Sequence, residues 1–155
     1  MNFHEAFEIL LGHEGELSDH PKDRGGLTKF GISQRAYPDE DIVNLTVERA
    51  KELYLRDYWK PAGCEHVPEG IRFDLFDMAV NSGLLAATRT LQRACGVSAD
   101  GKLGPLTLKA IEGMDHVRLV AKFNGYRLAY LATLRSWPSF GRGWAGRIAT
   151  NLARL

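Results

Sequence analysis

The sequence predicts a mainly α protein, and three observations carry that prediction. Apolar residues recur at helical spacing through most of the chain, start and stop residues such as Thr46, Pro61, Gly83 and Gly96 bracket those stretches, and only one Gly-rich turn argues for strand. At 155 residues, 45% hydrophobic and 25% charged, the chain has the size and balance of a single compact domain with a substantial core.

Taken in order, Phe3, Phe7, Leu10 and Glu14 fall at steps of four, three and four, which puts three large apolar side chains and then a carboxylate on one face of an N-terminal helix. Residues 18–26 are crowded with turn formers, so the chain reverses soon after Glu14. Residues 27–32 alternate apolar and polar and read as a short extended segment. Thr46 is a good N-cap for a helix that stops at Trp59 or Lys60, before Pro61. Residues 71–82 are apolar around so much of the circumference that this helix should be central, with Gly83 as its C-cap. Further helices are expected over 84–95, closed by Gly96, and over 117–135.

Glu14 has two readings. As the end of an apolar stripe it is partly desolvated, which disfavours the charged form and lets a carboxyl hold a proton for general acid catalysis. Beside His13 and Gly15 it is equally a solvated residue at a helix end. A helix end, a tight turn and a short strand would return Asp23 and Thr28 towards Glu14, making a cleft with two carboxylates and a hydroxyl.

The run HEGELSDHPKDRGGLTKFGIS resembles the signature of the family 108 glycoside hydrolases, phage endolysins and prophage-derived N-acetylmuramidases. Their motif begins with Glu-Gly-Gly-Tyr and ends in Gly-Gly-x-Thr-Asn-Trp/Phe-Gly-Ile. The similarity continues through TVERAKELYLRDYW, FDLFDMAVNSG and LQRACGVSADGKLGPLTLKAI to WPSFGRGWAGRI. Glu16 and Leu17 stand where the family has Gly and Tyr, and Lys29 where it has Asn, so an aromatic and an amide able to touch sugar are replaced.

The resemblance implies a lysozyme-like helical bundle with a small turn or β-hairpin segment beside the catalytic cleft. It also implies hydrolysis of the β-1,4 bond between N-acetylmuramic acid and N-acetylglucosamine. Such chemistry needs an acid at the departing oxygen and a second group that directs water or stabilises the oxocarbenium-like sugar. Glu14 takes the first role, Asp23 the second, and Thr28 positions the water; the spacing of nine and fourteen residues also resembles phage lysozymes. A lytic transglycosylase with a lone Glu, a chitinase-like or chitosanase-like glycosidase, and a non-catalytic wall-binding phage protein are the competing readings.

On the helix over 71–82, Asp77 and Asn81 lie four apart. Asn81 offers an amide to a sugar N-acetyl or hydroxyl group, a position near the glycan that the resemblance favours; the other reading is that both residues satisfy backbone groups or cap a helix. Tyr58 and Trp59 offer flat faces to a pyranose, and aromatics at helical spacing are also core. Residues 96–107, with Gly101, Gly104 and Pro105 at turn and helix-start positions, are similar to the helix-loop-helix of peptidoglycan-binding repeats. The segment from about 88 to 155 is therefore expected to be a peptidoglycan-binding-like part of one domain spanning 1–155.

Cys64 and Cys95 show no metal-ligand or disulfide spacing, so two reduced thiols, no metal and no cofactor are expected. From His116 onward there are seven basic residues and no acidic ones, against a net charge of +1 for the whole chain, which predicts a basic surface for anionic envelope polymers or lipid headgroups, or else a solvated face that balances the acidic part. No helix-turn-helix, zinc spacing or phosphate loop points to nucleic acid. The opening residues lack a basic flank and an apolar run. The expectation is a monomer made in the cytoplasm without a signal peptide or stable membrane insertion, acting on peptidoglycan glycan strands after release through a holin lesion.

Overall fold

The computed structural model describes residues 1–13 and 26–155. Among them are seven α-helices and one two-stranded antiparallel sheet, in two compact units: Phe3–Asp57, and Met1–Asn2 with Tyr58–Leu155. Glu14 and Asp23 lie outside the described residues.

The first unit opens with α1 (Phe3–His13), whose Ala6, Phe7 and Leu10 are fully buried, as the steps of three and four require. Strands β1 (Thr28–Lys29) and β2 (Ile32–Ser33) form a hairpin with Thr28 opposite Ser33 and Lys29 opposite Ile32. The segment expected to be one extended piece is thus folded back on itself. Phe30 (φ 52°) and Gly31 (φ 76°) both take left-handed conformations, the pair a tight hairpin turn needs, at some steric cost for Phe30.

A long loop then supports this hairpin. Gln34 Nε2 lies 3.2, 3.1 and 3.0 Å from the carbonyls of Tyr37, Pro38 and Glu40, and Lys29 Nζ donates to the Val43 carbonyl at 3.0 Å. Helix α2 (Val47–Tyr54) starts where Thr46 Oγ1 accepts the Arg49 N–H at 3.1 Å. Arg49 also joins Glu40 and Glu52. The helical stretch runs on to Trp59 as expected, although Leu55–Trp59 has π-helical rather than α-helical bonding.

In the second unit α3 (Glu69–Ser82) is the core helix, with Ile71, Phe73, Leu75, Phe76, Met78 and Ala79 all buried. It packs against α4 (Leu84–Cys95) and α6 (His116–Ala132); α6 in turn packs on α7 (Trp137–Leu152). Gly83 (φ 89°) lets the chain turn from α3 into α4 without a break in packing. Before α3, Cys64 sits fully buried in a 3-10 turn, Cys64–His66, and burial pushes its thiol up to about 12.

Between α4 and α5 (Pro105–Glu112) runs the loop read as peptidoglycan-repeat-like, and one buried amide organises it. Gln92 Oε1 accepts the Gly101 N–H at 2.8 Å, while its Nε2 lies 2.7 Å from Asp100 Oδ1, 3.0 Å from the Lys102 carbonyl and 3.2 Å from Thr107 Oγ1. Asp100 Oδ1 also accepts the Lys102 N–H at 2.8 Å.

Helix α7 is not expected from sequence, because Gly141, Gly143 and Gly146 each weaken a helix. Packing supplies the reason for one of them. A Cβ on Gly141 would come 2.5 Å from the Trp137 indole, so the glycine lets that ring lie across its own helix. Trp144 packs beside Trp137 and Phe140, with centroids 6.2 and 5.8 Å apart.

Candidate active site

The hairpin carries the one catalytic candidate that lies within the described residues. Thr28 is half-buried on β1, and its hydroxyl donates to the Gly26 carbonyl at 3.3 Å. The position of this hairpin depends on Tyr54 at the end of α2. Its hydroxyl donates to the Phe30 carbonyl at 3.0 Å, and its ring meets Phe7 of α1 with centroids 5.7 Å apart. A single buried side chain therefore ties α1, which carries His13, the sequence neighbour of Glu14, to the strand that begins with Thr28. The sequence alone assigns Tyr54 no such role. The available signal was that a buried Tyr needs a partner for its hydroxyl.

The sugar-contact candidates separate. Trp59 is only 1% exposed and meets Phe76 edge-on at 5.5 Å, so it is a core residue and not a stacking platform; its place on the buried side of the helical stretch outweighs its flat shape. Tyr58 is half-buried, and Asn81 is exposed on the last turn of α3.

Asp77 has no access to a glycan. It is fully buried, and Arg127 of α6 donates to its Oδ2 at 2.8 Å while Arg147 of α7 donates to its Oδ1 at 2.8 and 2.6 Å through Nε and a terminal nitrogen. Asn151 adds a bond to Oδ2 at 3.0 Å. Burial alone would raise this carboxyl's pKa, but the two guanidiniums outweigh it and hold the group below the usual carboxylate range. Of the seven basic residues expected to form a surface, Arg127 and Arg147 are thus turned inwards, which reduces that surface. Among the described residues no cluster of His, Cys, Asp and Glu could hold a metal ion.

Comparison with known proteins agrees with this architecture. Residues 7–83 match the model of glycosyl hydrolase 108, a span that includes Glu14, Asp23 and Thr28, and residues 86–149 match that of a predicted peptidoglycan domain. Among curated protein sequences none matches the chain. A solved structure of Brucella abortus SagA is similar throughout, with a TM-score of 0.89 at 32% sequence identity, covering 98% of this chain and 92% of that one. The lysozyme-like helical fold, the matched glycosidase segment and the peptidoglycan segment agree, and the chain belongs to the glycosyl hydrolase 108 family as a peptidoglycan-degrading glycoside hydrolase.

Proposed function

We propose that this hydrolase is an N-acetylmuramidase that cuts the β-1,4 bond between N-acetylmuramic acid and N-acetylglucosamine. Glu14 protonates the departing oxygen, Asp23 directs water or stabilises the oxocarbenium-like sugar, and Thr28 holds that water. The observation that carries this reading is the Tyr54 tie, which fixes α1, just before Glu14, to the hairpin that begins with Thr28. Three polar groups on one short segment serve a reaction that needs an acid and a held water. Asn81 and Tyr58 contact the glycan, and the peptidoglycan segment forms one catalytic domain with the rest.

The setting belongs to the same proposal: a phage or prophage endolysin, monomeric, made in the cytoplasm and admitted to the wall through a lesion such as a holin makes. No helix among the described residues is long and apolar enough to cross a membrane. The test is digestion of purified sacculi with mass analysis of the products. Reducing N-acetylmuramic acid ends are expected, and anhydro ends, lighter by one water, would make the protein a transglycosylase.

A further inference from the structure

The second unit carries an open groove of about 310 Å³ beside the start of α4, lined by Ser82, Leu85, Arg89, Arg93 and Tyr130 among others. Arg89 and Arg93 are one helical turn apart, so their side chains lie on the same face and repel each other. Neither has a carboxylate within ion-pair distance among the described residues, unlike Arg127 on α6 and Arg147 on α7. Ser82 Oγ is buried and lacks a hydrogen-bond partner among the same residues. Two guanidiniums without counter-charges and an unsatisfied hydroxyl therefore share one cavity.

One wall of the groove lies against a neighbouring loop. Gly101 has φ +81°, and a Cβ there would come 2.4 Å from Leu85 and 3.6 Å from Arg89 Nε, so both side chains lie against the loop that Gln92 holds. The groove thus offers an apolar side, a phenol and a cationic side. Guanidinium forks match carboxylates in shape and charge better than they match neutral sugar hydroxyls.

In peptidoglycan the two components differ in this respect. Where the lactyl group is amide-linked to peptide, the glycan strand is neutral, and the negative charge resides on the carboxylates of the stem peptide. We propose that the Arg89–Arg93 groove binds a stem-peptide carboxylate, so that the enzyme grips peptide as well as sugar. This rests on the reading of the chain as a peptidoglycan-degrading enzyme. Asn81, the proposed glycan contact, immediately precedes Ser82 in the last turn of α3, which places a sugar contact and the peptide groove at the same end of that helix.

The experiment is calorimetric titration of the full chain with three probes: a disaccharide-tetrapeptide with free carboxylates, the same molecule fully amidated, and the peptide-free disaccharide with its lactyl group as the primary amide. The free acid is expected to bind tightest. Arg89→Gln/Arg93→Gln should weaken it by about tenfold, to the level of the amidated form, and Arg89→Lys/Arg93→Lys should recover part of the loss. Both arginines are exposed, so circular dichroism of the Gln pair should match the parent. Equal affinity for the acid and amidated forms, or no loss in the Gln pair, would overturn the proposal. So would loss of binding to phosphatidylglycerol vesicles with muropeptide binding intact, since the groove would then be a lipid contact. Release of reducing ends from peptide-free glycan strands reports separately on the muramidase reading, whose failure would leave the binding result standing.

Discussion

Asn124 donates its Nδ2 to Asp74 Oδ1 across 2.9 Å, while its own Oδ1 is buried with no donor among the described residues. Asp74 is 4% exposed, and burial raises its pKa by more than the Asn124 and Asn151 hydrogen bonds and the Arg127 charge lower it, with the neighbouring Asp77 raising it further. A proton retained on Asp74 gives a donor to a cluster that holds a spare acceptor. Two adjacent aspartates on α3 are thereby driven in opposite directions, Asp74 towards the neutral form and Asp77 towards the charged one.

Asp74→Asn should follow from this with a definite sign. A carboxyl whose folded pKa is raised binds its proton more tightly in the native state, so the wild type loses stability as pH rises from about 3.9 through the raised value. The variant cannot ionise. Its stability relative to wild type, from urea unfolding at pH 4, 5.5 and 7, should therefore improve with pH; a difference independent of pH would show that Asp74 titrates normally.

Asp77→Ala should be severe, because it strands Arg127 and Arg147 without their counter-charge. Breaking such a buried pair typically costs about 3–5 kcal/mol. Asp77 is also the acid-sensitive member: its folded pKa is lowered, so its contribution is complete above about pH 3.9 and is lost as pH falls through the folded value. Denaturation midpoints will check both points, and Asp77→Leu/Arg127→Met should be less harmful than Asp77→Ala.

Tyr54→Phe removes one hydroxyl and keeps the ring against Phe7. Stability should fall by about 1 kcal/mol for the lost hydrogen bond to the Phe30 carbonyl. Clearing of sacculi should fall further than that loss explains, because the hairpin bearing Thr28 loses its tie. Full activity in the folded variant would mean that the hairpin holds its place without Tyr54.

Glu14→Gln keeps the shape of the proposed acid and removes its proton. Activity on peptidoglycan should drop by roughly 10²–10⁴-fold while the protein stays folded. Asp23→Ala should also slow the reaction strongly, and any residual product of either variant should still carry reducing ends.

Local signals in the sequence were sufficient for most helix limits. Thr46, Gly83, Gly96 and Pro105 act through their own backbone or the next turn, so their roles follow from residue type. What depended on distant partners was not legible. Trp59 reads as a sugar platform until Phe76 is placed against it, and Arg127 reads as a surface charge until Asp77 lies opposite. The reversal at Phe30 hides within an alternating pattern, since the turn uses a left-handed phenylalanine that no turn preference favours. Helix α7 was hidden by its glycines, one of which exists to accommodate Trp137.

Cys64 gives the chain an unexpected chemical indifference. A thiol raised to about 12 has roughly one molecule in 10,000 as thiolate at pH 8, and only the thiolate reacts with peroxide, alkylating agents or a disulfide. Burial also raises the pKa of the half-buried Cys95 thiol. A change from reducing to oxidising surroundings would therefore leave Cys64 as it was.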